Sequence, residues 1–155
     1  MRVAVRVRSI ICGFLLLGWA VALAPPLQAA SLTRQQVIEI LDVASEERPA
    51  DLSGRDLSGL DLHALHFKQA QLSKAKLRGS NLSEANLFGV DLTDADLTGA
   101  NLQGANLDLA VLRRADLSQA DLTQASLFNV VMPRVILRQA NLTKARVIAV
   151  LTGGI

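Results

Sequence analysis

From Ala50 to Ala149 a large apolar residue returns at every fifth position, and the register never slips. The positions are Leu52, Leu57, Leu62, Phe67, Leu72, Leu77, Leu82, Leu87, Leu92, Leu97, Leu102, Leu107, Leu112, Leu117, Leu122, Leu127, Met132, Leu137, Leu142 and Val147. Two places before each stands a mostly small residue, Ala in thirteen of the twenty cases, and Asp or Asn lies between in twelve. A period of five is neither the 3.6 of a helix nor the 2 of a strand. It decomposes into Ala–Asp–Leu, which reads in–out–in as three residues of strand, and two residues of turn chemistry, mostly Ser, Thr, Gly, Gln, Lys or Arg. Each repeat is therefore a short strand and a corner. Successive corners wind the chain round an axis and send every central residue inward. Stacked coils share backbone hydrogen bonds about 4.8 Å apart, and the small Ala leaves room for a column of Leu to pack without voids. The expected class is all-β, a solenoid with one narrow core.

Composition agrees with a narrow core. Half of the 155 residues are hydrophobic, yet only 3% are aromatic and none is Tyr. The length suits one domain.

Segments such as ADLTGANLQGANL, residues 95–107, resemble the pentapeptide-repeat family. The resemblance covers about two-thirds of the chain and rests on twenty tandem motifs. It implies a right-handed quadrilateral β-helix with four repeats per coil, hence five coils and a rod of about 24 Å. Departures lie at the ends. Arg55, Leu60 and Leu65 replace the small inward residue in the first coil, and Val130, Met132, Pro133, Val135 and Ile136 make the last coil bulkier.

Residues 1–30 read as a secretion signal: Arg2, Arg6 and Arg8, then the apolar run Ile10–Leu23, then Pro25-Pro26 and the small residues Ala29-Ala30. The run has 14 residues, against about 20 needed to span a bilayer. The alternative is an uncleaved anchor. Residues 31–49 are expected to form a capping helix. Thr33 and Gln36 match a capping box. Val37, Ile38, Ile40, Leu41 and Ala44 share one apolar face, and Glu46-Glu47-Arg48-Pro49 ends the segment. The β-helix then spans residues 50–149, and 150–155 form a tail.

Charge and cysteine content narrow the function. The chain holds 16 Lys+Arg and 14 Asp+Glu, and without the three N-terminal arginines the body carries 13 against 14, net −1. A nucleic-acid binder wants a basic stripe, and a DNA mimic wants a long acidic face. Cys12 lies in the apolar run and the body has no cysteine, so neither a disulfide nor a thiolate site can form there.

Candidate sites are few. Asp91, Asp94 and Asp96 cluster but lack the Gly and closing Glu of a calcium loop. His63 and His66 fall on different faces under the four-repeat scheme, without a third ligand for zinc. Asn81-Leu82-Ser83 and Asn141-Leu142-Thr143 match a glycosylation pattern that the repeat itself generates. Arg113, Arg114 and Arg134 share a face, as ordinary surface charge or as a site for an anionic partner or headgroup. The strongest lead is the face carrying Phe88, Leu109, Phe128 and Ile148 in outward positions, since exposed apolar strips mark contact surfaces. The competing reading is that a terminal segment folds over it.

No catalytic residues, metal or cofactor are expected. The expected role is a non-enzymatic, exported structural or interaction module with a protein partner or self-association, no nucleic acid, and no membrane span after signal cleavage. The compartment would be the periplasm, a thylakoid lumen if the source is cyanobacterial, or the exterior. The alternative that the resemblance implies is a DNA mimic acting on a type II topoisomerase, which the export signal and near-neutral body oppose.

Overall fold

The computed structural model describes residues 32–45 and 47–149. The expected signal segment 1–30 and tail 150–155 lie outside the described residues. The elements in chain order are α1 (Arg34–Asp42), β1 (Ser126–Val130) and β2 (Arg146–Ala149). Most of the sheet consists of single bridges too short to count as strands.

From Asp51 onward each bridge is parallel and joins residues 20 apart: Asp51 to Gln71, Asp56 to Lys76, Asp61 to Asn81, His66 to Asn86, and so on down the rod. A coil therefore takes four repeats. Its sides are bound to the next coil by three bonds per repeat, as where Leu102 N–H donates to Asp121 C=O at 2.7 Å, Gly104 N–H to Thr123 C=O at 2.9 Å and Asp121 N–H to Ala100 C=O at 2.9 Å. Among the described residues, β1 and β2 are the one side where the ladder runs long enough to form strands, with Ser126 opposite Arg146 and an irregularity between Phe128 and Val130.

The corners are β-turns. Ala105 N–H donates to Leu102 C=O at 3.0 Å, and the same bond recurs along the chain. The second corner residue has positive φ throughout, from Gly54 at 65° to Lys144 at 58°. Positive φ at the third turn residue defines a type II turn. The corner after Phe67 differs: Lys68 and Gln69 both have positive φ, 47° and 60°, the mark of a type I′ turn.

The Asp and Asn of each repeat brace these corners. Asp91 Oδ1 accepts from Thr93 N–H at 2.9 Å, Asn101 Oδ1 from Gln103 N–H at 3.0 Å, and Asp121 Oδ1 from Thr123 N–H at 2.9 Å. The outward polar residue thus satisfies the donor that the turn leaves unpaired.

Leu52 through Leu127 of the inward column are buried, as are the Ala residues from Ala70 to Ala125. The last coil departs from the expected ladder. Met132 and Leu137 are half-buried, and Leu142 and Val147 are 38% and 45% exposed. They point inward like the others, but no described coil packs below them.

At the other end α1 lies over the first coil and buries Val37 and Leu41 against it. Both halves of the capping box form, with Gln36 N–H donating to Thr33 Oγ1 and Thr33 N–H to Gln36 Oε1. The helix is shorter than the 31–49 segment. It stops at Asp42 because Ser45 and Arg48 exchange two backbone hydrogen bonds, both 3.1 Å, which turn the chain onto the first coil. The bulky Leu60 and Leu65 are half-buried and pack against the same core cluster.

Candidate functional site

With 20 residues per coil, Lys68, Phe88, Asp108, Phe128 and Ile148 occupy the same corner slot on successive coils. Type II corners turn this side chain outward, so the column is a surface feature. Phe88 is 39% exposed, Leu109 47% and Ile148 55%. Phe128 is half-buried. Arg146, 18 residues on, lays its guanidinium 4.7 Å above the ring centre, a cation–π contact that covers one face of it. The expected strip is thus open at Phe88, Leu109 and Ile148 and covered by its own chain at Phe128.

Asp108 divides the column and is held in place. Its Oδ1 accepts from Ser126 Oγ at 2.7 Å and from Phe128 N–H at 2.8 Å. A carboxylate among apolar side chains, already satisfied by its own chain, makes a polar divider and not a reactive group.

Phe88 also walls a cleft of about 470 Å³ lined by Ala44, Ser45, His66, Lys68, Gln69, Asn86 and Asn106. Lys68 reaches across it, donating from Nζ to Leu41 C=O at 3.0 Å and so pinning the end of α1. Lys68 was legible as a neighbour of Phe88, since it precedes it by one coil in the same slot. The contact with Leu41 was not, because it depends on where α1 stops.

The other candidates are taken up by structure. Asp94 forms a two-pronged pair with Arg114, both contacts 2.6 Å. Its carboxyl is held below the ordinary value by the Arg114 hydrogen bonds. Asp91 accepts from Ser73 Oγ at 2.8 Å, and Asp96 from Arg78 at 3.1 Å. Partial burial opposes the charge on Asp91 and Asp96. The hydrogen bonds from Thr93 and Ser73, and from Thr98 and Arg78, outweigh it, so both carboxyls sit below the ordinary value. His63 Nδ1 lies 2.9 Å from Ser83 C=O, while His66 Nδ1 lies 3.4 Å from Asn86 Nδ2 on another side. Among the described residues no group of three or more His, Cys, Asp or Glu is placed to hold a metal, and no helix is long and apolar enough to cross a membrane.

A family model described as pentapeptide repeats (8 copies) matches residues 50–83, 66–104 and 91–129. Among solved structures, the chain is similar to a pentapeptide repeat protein from Nostoc Pcc 7120, with 32% identity and a TM-score of 0.58 over 68% of this chain and 96% of that one. It is also similar to a pentapeptide repeat protein from the cyanobacterium Cyanothece 51142, with 36% identity and a TM-score of 0.35 over 57% of this chain and 65% of that one. A third similar structure is a pentapeptide repeat protein from the Arabidopsis thaliana thylakoid lumen, with 35% identity and a TM-score of 0.25 over 61% of this chain and 63% of that one. No curated protein matches the chain. The family likeness implies a right-handed β-helix.

Proposed function

The chain belongs to the pentapeptide-repeat family, and from that premise we propose that it is an exported, non-enzymatic interaction module. In this reading residues 1–30 are a signal, 31–49 a cap, 50–149 five coils of β-helix, and 150–155 a tail. Export is supported by the basic start, the short apolar run and the Pro pair. The absence of a catalytic role is supported by the carboxylates, which brace corners or pair with arginines. The localisation that follows is the periplasm, a thylakoid lumen or the exterior.

The observation that carries an interaction role is the column of Phe88, Leu109 and Ile148 on a surface whose other corners are almost wholly polar. Asp108 divides the column, as charges do beside apolar anchors at protein interfaces. The partner is a protein that lies along this face. Replacing Phe88 and Phe128 together by Ser tests it. Phe88 stands outside the Leu column, and its loss spares stability. Phe128 also loses its contact with Arg146, so a small drop in melting temperature is expected. Capture of a specific partner from the exported fraction should fall at least tenfold. Unchanged capture alongside a large loss of stability would sink the interface reading.

A further inference from the structure

The two ends of the rod are unlike in shape and opposite in charge. At the N-terminal end α1 closes the bore, and the Arg34 guanidinium donates to the carbonyls of Asp61 and His63. At the other end Leu112, Leu117, Leu122, Leu127, Met132, Val135, Leu137, Leu142 and Val147 line a mouth of about 290 Å³ with no polar group among the described residues. One coil up, the N–H groups of Leu117 and Leu122 donate to Ile136 and Asn141, both at 2.8 Å. Among the described residues none accepts from the corresponding N–H groups of Leu137 and Leu142. Arg134, Arg138, Lys144 and Arg146 ring this end, residues 130–149 contain no acid, and none of the four cations forms an ion pair among the described residues. The last coil therefore carries +4.

The N-terminal end answers this. Residues 32–69 hold four basic residues against seven acidic ones, net −3. The outer side of α1, with its flanks, presents Gln36, Glu39 and Val43, beside the half-buried Leu32 and Ile40, around a shallow hollow of about 310 Å³, and Val43 is 85% exposed. Glu39, with one carboxylate oxygen taken by Gln35, keeps a second oxygen that suits an unpaired N–H group.

We infer that the open C-terminal end of one copy seats on the outer face of α1 of the next, stacking chains head to tail. A helix is the element this fold already uses to close an end, and each α1 would then be packed on both sides. Two like ends meeting would oppose +4 to +4. Basic residues are drawn to an anionic lipid surface, but hydrocarbon leaves every unpaired backbone group unsatisfied, so lipid is the weaker occupant. The contact is heterologous and does not close on itself, so it yields open stacks.

Two substitutions at exposed positions test this separately from the Phe88 face: Leu142→Asp blocks the mouth, and Val43→Asp blocks the helix. The exported chain should sediment as concentration-dependent oligomers, weakened about tenfold or more by raising salt, as the screening of exposed charges requires. Each variant alone should be a monomer. An equimolar mixture should form a one-to-one complex and nothing larger, because each variant keeps one working end. That complex also shows that both variants fold. A wild-type chain that stays monomeric at its highest soluble concentration overturns the inference. So does an association abolished by Leu142→Asp and untouched by Val43→Asp, which means like ends pair. Binding of phosphatidylglycerol vesicles that Leu142→Asp abolishes would assign the end to lipid instead.

Discussion

At each corner the second residue carries a left-handed backbone, and that one requirement sorts the side chains. Thirteen of these positions between residues 54 and 144 are not glycine, and none of the thirteen is Val, Ile or Thr. Thr appears freely one residue earlier, at Thr93, Thr98, Thr123 and Thr143, where φ is not positive. β-Branching is what left-handed φ tolerates least. Gly99 has φ of +66° and nothing within 4 Å of where a Cβ would stand, so Gly99→Ala isolates the backbone cost from any clash. The expected loss is about 1 kcal/mol. Gln119, at φ of 61°, should show the reverse. Gln119→Gly relieves the strain, is partly offset by the freer unfolded chain, and gains up to about 1 kcal/mol. Urea midpoints read both; two changes of the same sign would show that the corners are not the strained element.

The repeat as an element is a strand, a corner and the carboxylate or amide that braces it. Asp51, Asp56 and Asp121 all have carboxyls below their ordinary value. For Asp121 the chief cause is the Thr123 hydroxyl and the next is the Thr123 N–H. A depressed carboxyl stabilises the fold above its unfolded value, near pH 4, and that stabilisation is lost as pH falls through the folded value. The rod should therefore melt earlier as pH drops below about 4. Asp121→Asn, which keeps the acceptor and cannot titrate, should match the unaltered chain at pH 7 and exceed it at pH 3. Equal sensitivity to acid in both would detach the acid response from this corner. The inward Leu and the outward Asp or Asn were legible in the sequence because a strict period shows which residues share an environment. The bracing bond was not, since composition alone does not separate a stacked polar face from a turn brace. The start of α1 was legible in Thr33 and Gln36. Its end was not, because the turn at Ser45–Arg48 forms through backbone groups that any residues supply. The cover that Arg146 gives Phe128 crosses from one coil to the next and appears only once the coil length is fixed.

Across the whole molecule, stability in a solenoid is a sum over coils and the interfaces between them, so the same residue type should matter by where it stands. Leu102 is buried with a coil above and a coil below, at 0% exposure. Its neighbours are held by three backbone bonds per repeat to the next coil and cannot close in on a gap. Leu102→Ala should cost about 2–5 kcal/mol, a transfer loss plus a cavity. Leu142 lies on the same side of the rod two coils on, yet is 38% exposed because no described coil follows it. Its side chain is partly in water already and leaves no closed cavity, so Leu142→Ala in dilute solution should cost about 1 kcal/mol or less. Denaturant titrations of the two variants, each at low protein concentration, give the ratio directly. A cost for Leu142→Ala as large as that for Leu102→Ala would mean that the end of the bore is closed within a single chain, and head-to-tail stacking would lose its seat. A small cost that grows as the protein is concentrated is the outcome that the open end requires.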